Sequence, residues 1–281
     1  MTHTRGPERI VCLTEETTET LYLLGEQARI VGISGFTVRP PQARKEKPRV
    51  AAFTSAKIDR ILALKPDLVL GFSDLQADIA AELIRAGVAV HVFNQRSVAG
   101  IFDMIATLGA LIHRSDAATK LMTDIDCSMQ RIRQRAKRLD RRPVVYFEEW
   151  DDPLISGIQW VSELIEWAGG EDAFADRARN PGAKDRIIAQ PDQVITRNPD
   201  IIIGSWCGKK FRPERVAERP GWDRIAAVQH DQLYEIKSCD ILQPGPAALT
   251  DGLEQIASVI DRWARSNDRA VACRRSRMAS V

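Results

Sequence analysis

At 281 residues the chain is longer than one average hydrophobic core serves, and two units of ~100–150 residues each are expected. Hydrophobic residues at 44% and charged residues at 28% exclude disordered and fibrous classes, and no stretch approaches the ~20 apolar residues of a membrane helix. With 40 basic against 38 acidic side chains, a net charge of +2, there is no general pull toward nucleic acid or anionic lipid.

The first residues, MTHTRGPERIVCL, hold no apolar leader segment with a small-residue cleavage site, so a cytoplasmic chain is expected. Strand-like apolar runs follow at residues 10–13, 29–33 and 88–93, and again at 144–147 and 232–236, alternating with helical patterns. Such alternation predicts one mainly parallel sheet with helices on its faces in each half. Cys12, Cys127, Cys207, Cys239 and Cys273 are odd in number and lack CxxC spacing, so free thiols are expected.

An internal repeat is the strongest signal. Residues 59–71 read DRILALKPDLVLG and residues 192–204 read DQVITRNPDIIIG, with the acid, apolar pair, Pro-Asp, apolar triplet and Gly at equal offsets. Each copy predicts a short helix opened by Asp59 or Asp192, a stop at Pro66 or Pro199, and a strand buried on both faces. A weaker match pairs ETLYLLG from Glu19 with ELIEWAG from Glu163, each at an earlier helix end. Between the halves, Ala118, Leu121, Met122, Ile125, Met129 and Ile132 fall at steps of three and four without Gly or Pro, predicting one long amphipathic helix from about Asp116 to Leu139, with Ser115 as its cap. The expected organisation is an amino-terminal α/β lobe over 1–113, a linking helix over 114–142, a carboxy-terminal α/β lobe over 143–265 and a tail without order at 266–281.

The stretches ERIVCLTEETTETLYLLG, GISGFTVRPPQA, IDRILALKPDLVLG, PLISGIQWVSELIEWAGGEDAF and PDQVITRNPDIIIG resemble, in order and spacing, the class III periplasmic binding proteins. These are the helical-backbone group that includes cobalamin-, heme- and siderophore-binding components of bacterial ABC importers. The likeness runs from about Arg9 to Trp263, and the cobalamin-binding members are nearest. It implies two Rossmann-like lobes joined by one long backbone helix, with a ligand cleft between them. It also implies a periplasmic location as the alternative to the cytoplasmic one, and a cobalamin-like corrinoid or related metal chelate as ligand rather than as a catalytic cofactor. The implied partner is an ABC transporter permease dimer; a monomer with no nucleic-acid partner and no enzymatic activity is expected. A cytoplasmic corrinoid or tetrapyrrole carrier or sensor that keeps the fold is the competing function.

By the same resemblance, Asp59 and Asp192 fall where each lobe presents an acid to the permease; the alternative is that both are ordinary helix-start acids. Phe36, Phe53 and Phe72, expected on loops, match aromatic positions that line the cleft, and Trp150, Trp160 and Trp206 are the candidates of the second lobe. Rigid rings suit the broad apolar faces of a corrin, although each is equally at home in a core. Asp240 aligns with a ligand-facing acid, or forms the turn before Pro244. Arg39 and the loop Cys207-Gly208-Lys209-Lys210, outside the family pattern, place positive charge near the expected cleft mouth.

Of the histidines, His3, His91, His113 and His230, at most two are placed to face a cleft, which argues against a bare metal-ion site. Glu148, Glu149, Asp151 and Asp152 surround Trp150 and are expected as a solvated loop after the strand at 144–147. No nucleophile elbow, Walker loop or dinucleotide glycine pattern occurs.

Overall fold

The computed structural model describes residues 6–278, with side chains as far as residue 267. The chain divides into two compact units: one runs to Asp126 and takes in Gln243–Ala247, the other comprises Cys127–Leu242 and the chain from Ala248 onward.

The first unit holds five strands, β1 (Ile10–Cys12), β2 (Ile30–Ser34), β3 (Arg49–Ala51), β4 (Leu68–Phe72) and β5 (Val90–Phe93), in the order β3-β2-β1-β4-β5. All neighbours are parallel. Helices on both faces force the central strands to be apolar throughout, and Ile10, Val11 and Cys12 are wholly buried. Val11, Leu13, Val50, Ile61, Val69, Ile79 and Leu83 form one core cluster.

The second unit holds β6 (Val144–Asp151), β7 (Leu154–Ser156), β8 (Glu171–Asp172), β9 (Ile201–Gly204) and β10 (Leu233–Glu235), ordered β10-β9-β6-β7 with β8 also on β6. Strands β8, β9 and β10 continue the parallel pattern, and β7 returns antiparallel to β6. Its core is more aromatic: Tyr146 meets Phe174 and Trp222 edge to face, with centroids 5.4 and 6.2 Å apart.

The repeat is structural as well as sequential. Helix Ile58–Ala63 leads to β4, and helix Asp192–Arg197 leads to β9. Both helices end before their prolines, with Lys65 (φ 46°) and Asn198 (φ 43°) left-handed at matching positions. The repeated aspartates then tie each unit to the start of its central strand. Asp67 accepts the backbone N–H groups of Glu8 (2.7 Å) and Arg9 (2.9 Å) ahead of β1, while Asp200 accepts that of Val144 (2.9 Å) at the start of β6. The weaker repeat holds too: helices Glu15–Leu23 and Gln159–Trp167 are followed by Gly25 and Gly169, with φ of 74° and 90°, a left-handed stop that favours glycine.

The long helix spans Ser115–Ala136 without interruption, and Ala118, Ile125, Met129 and Ile132 are buried as the periodicity predicts. Ser115 opens it rather than preceding it, Lys137–Leu139 leave it in a turn, and the division between units falls inside it. Residues 266–278, expected as a tail, continue the backbone of the last helix, Leu253–Met278; residues 279–281 lie outside the described residues.

Candidate functional site

In a parallel sheet all strands deliver their following loops to one edge, where open α/β sheets bind ligands. In the first unit that edge carries Thr14–Glu19 after β1, Gly35–Arg39 after β2, Ala52–Ser55 after β3, Ser73 after β4 and Asn94–Arg96 after β5.

The three phenylalanines of this edge differ. Phe36 is 67% exposed, a large apolar ring left in solvent. Phe53 is half-buried, and its loop is pinned by Gln76, whose side-chain amide donates to the Phe53 carbonyl at 2.8 Å. Phe72 is not on a loop. It is the last residue of β4 and is buried, with the Arg96 guanidinium 5.0 Å from its ring centroid. The strand runs that far because Phe72 pairs in register with Phe93 of β5.

The run Thr14–Thr20, the cap and first six residues of the helix Glu15–Leu23, is buried throughout, three glutamates included. Glu15 accepts the backbone N–H groups of Val38 and of Arg39 (3.2 Å), and Glu19 accepts the Arg39 guanidinium at 2.9 Å. Burial pushes both Glu15 and Glu16 up to about 7, and neighbouring glutamates add to the rise, while the N–H donors of Val38 and Arg39 oppose it at Glu15 and the Thr14 hydroxyl does so at Glu16. Arg39, expected to place positive charge near the cleft mouth, is thus paired with Glu19.

In the second unit Asp152 alone of the acid cluster lies exposed in a turn; Glu148, Glu149 and Asp151 belong to strand β6. Strand β6 continues to Asp151, with its register against β7 shifted between Glu148 and Trp150. Glu148 is fully buried and accepts from Arg219 through Nη1 (2.6 Å) and Nη2 (2.9 Å), from Trp206 Nε1 (3.0 Å) and from the Tyr146 hydroxyl (3.1 Å). Burial disfavours the Arg219 charge, but the Glu148 carboxylate outweighs it and raises the guanidinium's pKa. Glu149 pairs with the buried Arg186 at 2.6 Å. The solvated-loop expectation failed for Glu148 and Glu149 because the arginines that compensate these acids lie far along the chain.

This network decides the tryptophans. Trp206 and Trp160 are buried core residues whose indole N–H groups are used, by Glu148 and by the Ile241 carbonyl (2.8 Å). Trp150 is half-buried and donates to the Asp152 carbonyl at 2.8 Å; the Lys209 ammonium sits 4.0 Å from its ring centroid and pairs with Asp151. Cys207–Lys210 are exposed after β9. Asp240 lies in the short helix Ser238–Ile241, accepting from Gln255 Nε2 at 3.1 Å.

Asp59 and Asp192 are both exposed, each in the first turn of its repeat helix. Asp192 also borders a cavity of about 450 Å³ with Leu154, Ile188 and Trp222 in its wall. Among the described residues no group of three or more His, Cys, Asp or Glu side chains is placed to hold a metal ion; His3 lies outside them. Cys12, Cys127, Cys207 and Cys239 form no disulfide, and the Cys273 side chain lies outside the described residues.

A sequence model of the periplasmic binding proteins matches residues 10–239. The chain belongs to that family. An uncharacterized ABC transporter substrate-binding lipoprotein of Bacillus subtilis is 25% identical over 266 residues, covering 91% of this chain and 81% of its own. A vitamin B12-binding protein of Vibrio cholerae is 27% identical over 261 residues, with 90% and 89% covered. Among solved structures, the periplasmic vitamin B12 binding protein of Vibrio cholerae superposes with a TM-score of 0.73 at 24% identity, covering 92% of this chain and 98% of that one. A periplasmic heme-binding protein from Roseiflexus gives 0.76 at 23%, covering 91% and 100%. These structures share the fold of this chain. The family corrects the cytoplasmic placement expected from the first residues: its relatives are a lipoprotein and periplasmic proteins, which points outside the cytoplasm. A leader sought in the first residues was too narrow a basis for assigning a compartment.

Proposed function

We propose that this periplasmic binding protein captures a metal chelate, with a cobalamin-like corrinoid as the foremost ligand, and delivers it to an ABC transporter permease. The observation that carries this reading is the Phe36 ring, 67% exposed at the carboxyl edge of the first sheet. Val38 on the same loop is 41% exposed, so the apolar surface here is more than one ring, and Phe53 and Trp150 are half-buried at the carboxyl edges of their own sheets. The vitamin B12-binding relative covers 90% of the chain, which favours a corrinoid; heme-binding neighbours make heme the first competitor. The contact set is Phe36, Phe53 and Trp150, because Phe72, Trp160 and Trp206 have their surfaces covered by protein. Asp59 and Asp192, exposed at equivalent helix starts, are the permease-facing acids. Binding rather than catalysis is the role, in keeping with a family of solute-binding proteins.

Isothermal titration with cyanocobalamin, cobinamide, hemin and a ferric siderophore tests the reading. At least one, and cobalamin first, is expected to bind well below 100 μM, a dissociation constant equivalent to about 5.5 kcal/mol. If all four bind more weakly than about 100 μM, the chelate-carrier function is wrong.

A further inference from the structure

The carboxylates that follow β1 act as a clamp. Glu15 Oε2 accepts the backbone N–H groups of Val38 and Arg39, which close the loop carrying Phe36. Glu19 holds the Arg39 side chain and, through its other oxygen, accepts the Ala247 N–H at 3.0 Å. Glu16 accepts from the Thr14 hydroxyl at 2.6 Å and packs on Gly245, where a Cβ would come within 2.5 Å of Glu16 Cβ. One helix start therefore grips both the Phe36 loop and the segment Gln243–Ala247. The charged and titratable groups around Glu15 are Glu16 and Glu19 from its own helix and Arg39 from the loop; Gln243–Ala247 bring none.

The second oxygen of Glu15 matters as much as the first. Oε1 is buried and has no hydrogen-bond partner, and on the gripped loop the Thr37 hydroxyl is likewise buried and unpartnered. An ionised Glu15 makes two charge-assisted hydrogen bonds to the loop, each roughly twice as strong as its neutral counterpart. A protonated Glu15 loses that advantage and gains an O–H donor that lacks an acceptor in this arrangement, so the loop must shift to supply one.

We propose that Glu15 is a positioning residue for ligand binding, whose ionised carboxylate holds the Phe36 loop in its ligand-competent arrangement and whose protonation releases it. This rests on the reading that the Phe36 loop contacts the ligand. Because burial carries Glu15 to about 7, the transition falls near neutrality instead of in the usual carboxylate range.

The full chain and its Glu15→Gln variant are titrated with cyanocobalamin and with hemin from about pH 5.5 to about pH 8.5, bracketing that value. The unsubstituted protein is expected to lose affinity for the binding probe on acidification, approaching tenfold per pH unit below the midpoint for a single linked proton. Glu15→Gln is expected to bind weakly with a flat profile. Glu16→Gln, which removes a neighbouring negative charge, is expected to move the midpoint to lower pH and keep the slope. In parallel, amide hydrogen exchange at Val38 and Arg39, corrected for intrinsic rates, is expected to quicken as pH falls through the same midpoint; it needs neither variant nor ligand. A shared pH profile in the unsubstituted and Glu15→Gln proteins, or constant protection of those two amides, overturns the proposal. If neither probe binds at any pH, the corrinoid and heme assignment fails on its own, and the exchange measurement still decides the role of Glu15.

Discussion

In the second unit each deeply placed acid of β6 meets an arginine: Glu148 is bracketed by Arg219 and Glu149 by Arg186. In the first, Glu15 and Glu16 are buried among backbone N–H groups and threonine hydroxyls, with Arg39 turned to Glu19. The former supplies a compensating charge, whereas the latter offers Glu15 only neutral donors and leaves its Oε1 without a partner. A buried ion pair resists change because removing either partner strands the other. A buried carboxylate held by neutral donors can instead take up a proton as its environment acidifies. The aromatic residues follow the same division: Trp206 is locked into the Glu148 network, whereas Phe36 stands on the loop that Glu15 grips.

The largest test of this contrast is Glu148→Ala, which leaves the mostly buried Arg219 guanidinium without its carboxylate. A loss of ~3–5 kcal/mol in urea unfolding is expected, and a loss below ~1 kcal/mol would erase the distinction between the two units. Phe72→Ala comes next. As a buried strand residue it is expected to lose about 3 kcal/mol of stability by leaving a cavity, with chelate affinity per folded molecule unchanged; a selective loss of affinity would return Phe72 to the ligand.

The pH dependence of stability sharpens the comparison further. Glu15 and Glu16 ordinarily titrate at 4.5 and are raised to about 7 in the folded chain. Between those values the folded state binds more protons than the unfolded one, so the stabilising effect of protonation is full below 4.5 and is lost as pH rises to about 7. Thermal unfolding is expected to show this slope, and Glu16→Gln to flatten part of it; a midpoint that rises with pH across the window would contradict the burial argument. The fold is thus expected to favour the protonated acids while the Phe36 loop favours ionised Glu15, a conflict of the sort that functional sites impose on stability.

Two smaller effects complete the series. Phe36→Ala is expected to change stability by no more than about 0.5 kcal/mol, since the ring is exposed, while weakening chelate binding by about 1 kcal/mol; equal affinity would remove Phe36 from the contact set. Alkylation followed by peptide mass analysis is expected to label exposed Cys127 and Cys207 in the folded protein and to spare Cys12, which is buried and whose thiol is pushed up to about 12. Early labelling of Cys12 would show that the first unit opens near β1.

Local patterns in the amino-acid sequence determined the two α/β units, the long helix and the duplicated helix-turn-strand, because periodicity, Pro-Asp punctuation and apolar triplets act over a few residues. They missed β3, β7 and β8. They also cut β6 at its acidic half, where a register shift against β7 between Glu148 and Trp150 interrupts simple alternation. What only the tertiary structure decided was which rings and acids are spent on the core and which are left for a ligand. Arg219 reaches Glu148 from 71 residues away, and the Val38 amide reaches Glu15 from 23. Burial and charge compensation are properties of such distant meetings, so a glutamate reads the same in the chain whether it ends beside a guanidinium or beside the backbone of a loop.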